Sequence, residues 1–267
     1  MHFFKFDGAG NDFVLIDIRD TAFDLTTSQI AHICHRRFGV GADGLMTLSK
    51  GESDEYDFVM RYYNSDGRIG SMCGNGGRCI AAFARRLGIA PSSSTGIYRF
   101  LGSDGPHEAE ILMWDAGSEV GLVRLGMRDV ACGEVRRCLD GWFLDTGSPH
   151  YVQRVEGLRD FDVVGEGRRL RHMTEVFPHG TNVDFVEDMP DGRLMVRTFE
   201  RGVEDETWAC GTGVTAAAIV TGNQRLSTRG GDFKVTFDAD GNTYRNVRLT
   251  GPVSFNFEGS INQPHTA

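Results

Sequence analysis

The chain of 267 residues has no apolar run approaching the roughly 20 residues needed to cross a bilayer. Its opening, Met1-His2-Phe3-Phe4-Lys5-Phe6-Asp7, lacks the basic-then-apolar layout of a signal peptide, so a cytoplasmic protein is expected. An excess of positive charge is also missing. Lys and Arg total 28 against 37 Asp and Glu, a formal net charge of −9, which argues against nucleic acid or an anionic membrane surface as partner. The six cysteines lack the short C-x-x-C spacing of a zinc site, since Cys73/Cys79 and Cys132/Cys138 are each separated by five residues. A disulfide framework belongs more naturally to a small secreted chain. Neither glycine cluster is followed by Gly-Lys-Ser/Thr, which excludes a P-loop. Gly8-Ala9-Gly10 precedes its strand instead of following it, unlike a dinucleotide-binding turn. No lysine lies in a recognisable pyridoxal-phosphate setting. Neither metal nor organic cofactor is expected.

Against these absences stand two copies of one short pattern. Met72-Cys73-Gly74-Asn75-Gly76-Gly77-Arg78 leads into Cys79-Ile80-Ala81-Ala82-Phe83-Ala84, and Ala209-Cys210-Gly211-Thr212-Gly213 leads into Val214-Thr215-Ala216-Ala217-Ala218-Ile219. Each is Cys-Gly-x-Gly running into an Ala-rich stretch. A thiol before small residues at a helix start feels the positive end of the helix dipole, which stabilises a thiolate. The glycines let a ligand approach the backbone and leave N–H donors for an anion. One motif suggests a nucleophile, or simply a small residue in a tight place. Two, in opposite halves, suggest thiols that take a proton from one face of a carbon and return it on the other.

The rest of the chain reads as short strands and tight turns, in keeping with 35 glycines. Strands are expected at 13–18, 56–63, 108–114, 119–125, 142–146, 183–186, 194–199, 233–237 and 247–249. Helices are expected at 26–37 with Thr26 or Thr27 as N-cap, at 79–87 with Gly88 as C-cap, and at 214–221 stopped by Gly222-Asn223. The residues 91–96 read as a loop and the tail 263–267 as frayed. The polar turns Asn64-Ser65-Asp66-Gly67 and Glu200-Arg201-Gly202-Val203-Glu204 precede the two cysteine motifs, which suggests an approximate duplication. A domain boundary is expected at the turn 115–118, giving 1–116 (with the tail 254–267 returning to it) and 117–253. Apart from Cys73 and Cys210, most thiols are expected to be small buried hydrophobes.

Removing the α-proton of an amino acid is difficult because the carbanion is poorly stabilised. An alternative to a cofactor electron sink is a dry site with fixed dipoles aimed at the carboxylate. Two helix N-termini would supply those dipoles, with a thiolate as general base and a thiol as general acid.

Read in order, Gly8-Ala9-Gly10-Asn11-Asp12-Phe13, Gly39-Val40-Gly41-Ala42-Asp43-Gly44, Asn64-Ser65-Asp66-Gly67, the Cys73 motif, Gly147-Ser148-Pro149-His150, Asn182-Val183, Glu200-Arg201-Gly202 and the Cys210 motif resemble the diaminopimelate epimerases. The resemblance implies an α/β (α+β) fold of two pseudo-symmetric lobes. Each would be a β-barrel-like sheet around a central helix, with the active site in the cleft between them. It implies a cofactor-independent homodimer that interconverts LL- and meso-2,6-diaminopimelate for lysine and peptidoglycan precursors. It makes Cys73 and Cys210 the acid/base thiols and gives Gly74, Asn75, Gly211 and Thr212 contacts to the reacting carboxylate. Asn11, Asn64, Asn182, Glu200 and Arg201 would bind substrate, with Arg201 suited to the distal carboxylate. His150 and Glu200 would tune the thiols, although by its place alone His150 also reads as a partly exposed loop histidine. The chain departs from many members at Gly44, where Gln is common, at Ser148, where Asn is common, and at Thr212, where Ser is common. The proline and hydroxyproline racemases share the two-cysteine plan but typically have His after the first Cys-Gly and Pro before the second cysteine. Here those positions are Asn75 and Ala209. A non-catalytic metabolite-binding or redox-sensing protein on the same scaffold is the other reading.

Overall fold

The computed structural model describes residues 1–51, 53, 55–70 and 73–262. Ser71, Met72 of the first cysteine motif and the tail from Gln263 lie outside the described residues. Two compact units are present, Met1–Leu125 together with the chain from Pro252 onward, and Gly126–Gly251. The turn at 115–118 is a hairpin inside the first unit, and the chain passes to the second unit after Leu125. Among the described residues no helix is long and apolar enough to cross a membrane.

The first unit runs β1 (His2–Gly8), β2 (Asn11–Asp17), α1 (Thr27–Cys34), β3 (Gly44–Lys50), β4 (Phe58–Asn64), α2 (Gly74–Arg86), β5 (Ile97–Gly102), β6 (Gly105–Asp115) and β7 (Val120–Gly126). Successive strands pair antiparallel, except for β2 with β3 and β4 with β5, which are parallel. Each parallel step is bridged by a helix, as parallel pairs require. The chain's last strand pairs β1 from His2↔Ser260 to Asp7↔Ser254 and also pairs β7, so the strands form a closed ring. The ring encloses α2, which contacts β1, β2, β3, β4 and β6. α1 lies outside. Along Phe13-Val14-Leu15-Ile16 alternate side chains therefore serve two cores. Val14 and Ile16 join Ile30, Ile33 and Leu45 beneath α1.

α1 starts where Thr26 forms a capping box with Gln29. It ends at Cys34, short of the expected Arg37. Gly39 turns back against the last turn, where a Cβ would meet the His32 carbonyl at 2.1 Å, and Val40 donates to the Ile33 carbonyl. α2 begins at Gly74 instead of Cys79. Glycines disfavour a helix on propensity, but burial on every side overrides that cost. Gly88 adopts φ +75° just beyond its end, after Leu87 as C-cap.

The second unit repeats the plan. After β8 (Val130–Ala131) and β9 (Arg136–Cys138) come β10 (Gly141–Asp145), β11 (Pro149–Arg154), α3 (Val163–Arg171), β12 (Asn182–Asp188), β13 (Leu194–Glu200) and β14 (Asp205–Thr207). Then follow α4 (Gly211–Thr221), β15 (Arg225–Thr228), β16 (Gly231–Ala239) and β17 (Thr243–Ser260), whose later half is the strand that closes the first ring. β11 with β12 and β13 with β15 are the parallel pairs, bridged by α3 and α4 respectively. α4 is enclosed and contacts β10 through β13, β15 and β16. α3 lies outside, over Tyr151, Val183, Phe185 and Phe199. α2 and α4 thus occupy the same step of one repeated topology, and each is preceded by a motif cysteine. This mixed α/β arrangement, a barrel-like sheet wound on a central helix in each unit, is the expected fold.

Candidate active site

All six cysteines are thiols, and two of them precede the enclosed helices. Cys34 and Cys79 are buried, as expected, and burial pushes them up, Cys34 to about 12 and Cys79 well above the usual thiol range. Such thiols are inert. Cys132 and Cys138 differ from expectation in being half-buried.

In the first unit Cys73 is the N-cap of α2, in extended conformation (φ −108°, ψ 151°), and its Sγ accepts the Gly76 N–H at 3.2 Å. Thiol sulfur thus does the work of a capping oxygen. A Cβ on Gly76 would sit tightly against both Cys73 Sγ at 3.3 Å and Met46 Sδ at 3.2 Å. Behind the cap, Arg78 is fully buried and donates to the Gly74 carbonyl and to Asn75 Oδ1, both at 3.0 Å. Burial pulls its guanidinium down to about 10, so it is still a cation near neutral pH. Asn75 Nδ2 donates to Asn11 Oδ1 at 3.3 Å, and Asn11 Nδ2 to Asp43 Oδ2 at 2.6 Å. Asn11, Gly74, Asn75 and Cys73 are therefore brought together around one helix start, with Arg78 and Asp43 as additions.

Asn64 ends β4 and is exposed, its carbonyl accepting the Gly67 N–H across a turn in which Gly67 has φ +82°. The departure at Gly44 has a steric reason. A Cβ there would meet Tyr62 Cε2 at 2.5 Å, the Tyr62 hydroxyl at 2.8 Å and the Tyr63 carbonyl at 2.7 Å. The Tyr62 ring fills the space into which a longer residue 44 would project.

In the second unit Cys210 is buried and extended (φ −114°, ψ 113°) at the start of α4, with Sγ 3.3 Å from Thr212 Oγ1. His150 is wholly buried on β11, not exposed in a loop. Its Nε2 lies 2.9 Å from Thr212 Oγ1 and 3.0 Å from Ser148 Oγ, so the Thr212 hydroxyl stands between the ring and Cys210 Sγ. Its Nδ1 lies 2.6 Å from Asp184 Oδ2, also wholly buried. Burial works against the imidazolium, but the Asp184 carboxylate outweighs it and, with Cys210, pushes His150 up to about 10. The second Asp184 oxygen accepts from Thr198 Oγ1 at 2.7 Å.

Asn182, 4 % exposed, binds the protein itself. It donates to Ser148 Oγ at 3.2 Å and to the Pro149 carbonyl at 2.9 Å, and accepts the Arg201 N–H at 2.8 Å. It ties the Arg201 turn to the His150 strand. The Arg201 side chain is exposed, with one nitrogen on the His179 carbonyl at 3.1 Å, while Glu204 pairs with Arg171 instead. Glu200 closes β13, half-buried and paired in register with Asp205. Thus His150, Asn182, Gly211, Thr212 and Cys210 form one cluster, with Arg201 joined to it by its backbone.

Asp184, like Arg78 and Asp43, is a site residue that sequence reasoning missed. One signal did exist, an acid alternating with Val183 and Phe185, which pack under α3 on the strand's outer face. That alternation turns Asp184 inward to α4. The first-turn N–H groups of both helices have no partner within their own helix. Each cysteine is therefore set beside anion-accepting donors, and a thiol so placed can exchange a proton with a carbon acid whose carboxylate those donors hold.

The diaminopimelate epimerase family model matches residues 3–101 and 142–255. A diaminopimelate epimerase of Flavobacterium psychrophilum is 41 % identical over 98 % of this chain and 100 % of its own length. One of Chlorobaculum tepidum is 47 % identical over 80 % of each chain. A probable proline racemase structure from Agrobacterium radiobacter is similar in fold, with a TM-score of 0.72 and 14 % identity, covering 98 % of this chain and 93 % of that one. With the family model spanning most of both units, the chain belongs to the diaminopimelate epimerase family.

Proposed function

We propose that the protein is an isomerase that interconverts LL- and meso-2,6-diaminopimelate, with Cys73 and Cys210 as the two acid/base thiols. The observation that carries this is the repeated topology. The helix between β4 and β5 and the helix between β13 and β15 are equivalent, and each is N-capped by a cysteine. One thiolate takes the α-proton and the opposite thiol delivers one to the other face, so inversion needs no third group. The N–H groups of Gly74 and Asn75, and of Gly211 and Thr212, bind the reacting carboxylate and stabilise charge that develops on it. Asn11 and Asn64 bind further along the substrate. Asn182 acts by holding the Arg201 turn, beside which Glu200 lies. Neither metal nor organic cofactor takes part. The protein acts as a cytoplasmic homodimer in lysine and peptidoglycan precursor synthesis.

Arg201 reads the distal carboxylate through two parallel hydrogen bonds, a geometry lysine does not reproduce. Arg201→Lys should lower kcat/KM for LL-diaminopimelate by about 1.5–3 kcal/mol, the range for hydrogen bonds to charged groups. Wild-type protein should invert diaminopimelate and leave alanine, lysine and proline unchanged, followed by chiral chromatography. Preferential inversion of proline would move the assignment to the proline racemases. An Arg201→Lys enzyme equal to wild type would remove the distal clamp.

A further inference from the structure

We propose that Asp184 is a positioning residue for the reaction. By accepting the Nδ1–H of His150 it turns Nε2 toward the Cys210–Thr212 start of α4 and lets the ring take the Cys210 proton. This rests on Cys210 serving as an acid/base thiol.

The placement follows from register. His150 pairs with Asn182 and Val152 with Asp184 across the parallel β11–β12 step, while Asp184 lies directly opposite Thr198 on β13. His150, Asp184 and Thr198 all face α4. The carboxylate has two acceptor oxygens, and both are used, one by His150 at 2.6 Å and one by Thr198 at 2.7 Å. α4 packs hard upon the pair, since a Cβ on Gly213 would fall 2.3 Å from Asp184 Oδ1 and 3.2 Å from His150 Cε1. A buried carboxylate hydrogen-bonded by a histidine on one side and a hydroxyl on the other is held in place, and it holds the ring in turn.

The proton balance is simple. Cys210 passes its thiol proton to the Thr212 hydroxyl oxygen as that hydroxyl gives its own proton to His150 Nε2, leaving thiolate and imidazolium, and the imidazolium is countered by the Asp184 carboxylate. When Cys210 acts as acid the same proton returns. The titratable groups that face His150 are Asp184 from β12 and Cys210 from the start of α4. Leu144 from β10 pairs with it in register, and its hydrogen-bonding neighbours Ser148, Thr212 and Asn182 are uncharged. This is the logic by which a buried acid fixes the tautomer of a catalytic histidine, though here the nucleophilic group serves as a proton carrier.

The test replaces Asp184 by Asn, which keeps shape and removes the charge. In the full-length protein, Asp184→Asn should lower kcat at pH 7 by about tenfold to a thousandfold while KM changes much less, as removal of an acid/base partner does. The independent readout is the alkylation rate of Cys210 with iodoacetamide, followed by peptide mass spectrometry in a Cys73→Ala background. With Asp184 present, Cys210 should react readily at pH 7. In the Asp184→Asn variant the rate at pH 7 should fall about tenfold, because burial without the carboxylate disfavours the His150 imidazolium. Thr198→Val, which frees one Asp184 oxygen, should move both readouts the same way by less, and serves if the Asp184→Asn protein does not fold. Unchanged alkylation profiles in both variants would overturn the proposal. Failure of the wild type to turn over diaminopimelate would instead count against the function proposed above, and leaves the alkylation test intact.

Discussion

Replacing either motif cysteine should nearly abolish epimerisation, and replacing any other cysteine should not. Cys73→Ala and Cys210→Ala should each lower kcat by about 10²–10⁴-fold, the contribution of a positioned acid or base. Cys73 and Cys210 are the N-caps of the two enclosed helices, whereas Cys34 and Cys79 are buried with thiols held in their neutral form. Each one-thiol variant keeps one base. Its residual activity should therefore be slow exchange of an α-hydrogen with solvent at a single face, without inversion. Circular dichroism and thermal melts should show both variants folded, since removing a thiol at a helix cap costs about 1 kcal/mol at most sites. More than a few per cent of wild-type turnover in either variant would show the two-thiol mechanism to be wrong.

The second large effect is expected at Gly213. Alanine there must push its methyl into Asp184, 2.3 Å from Oδ1 and 3.1 Å from Cγ, with His150 Cε1 at 3.2 Å. No flexible chain end is available to move, because Asp184 is held by both His150 and Thr198. Gly213→Ala should destabilise the protein by about 1–3 kcal/mol, as overpacking does. It should also lower kcat at least as much as Asp184→Asn, because it displaces the same pair. Gly222→Ala gives the contrast. That residue meets nothing within 4 Å but has φ +76°, so it should cost stability through backbone strain and leave turnover nearly unchanged. Urea melts and initial rates on the two variants decide the matter. A Gly213→Ala protein with wild-type stability and rate would mean that α4 does not press on the His150–Asp184 pair as described.

Much of this is legible in the chain because it is written in local chemistry. Thr26 caps α1 and Gly222 stops α4 as their residue types require, and both cysteine motifs lie at helix starts. What the chain hides depends on tertiary packing. α3 carries Gly165 and Gly167, which argue against a helix on propensity. It forms because Asp162 caps it, accepting the Gly165 N–H at 2.8 Å, and because Gly167 lets the helix rest on Phe199, where a Cβ would lie 2.3 Å from that side chain. The expected starts of α2 and α4 fall too late for the same reason, since glycine reads as a breaker where close packing demands it. β1, β3, β5 and β11 do not stand out in the sequence. Their short apolar stretches are defined by the partners on either side more than by period. Asp184 is hidden because a lone acid among the apolar residues 183–186 gives no motif. Only the alternation of Val183, Asp184 and Phe185, together with knowledge of which face is already covered, points it inward.

The most direct measurement is proton NMR of LL-diaminopimelate incubated with the pure protein in deuterium oxide. Transfer between two solvent-exchanging thiols predicts loss of the α-proton signal as deuterium enters, with meso product appearing alongside and each inverted centre carrying deuterium. The spectrum should be unchanged with the Cys73→Ala, Cys210→Ala double variant. An α-proton signal that persists in deuterium oxide with wild-type protein, or inverted product that retains its original hydrogen, would contradict the account.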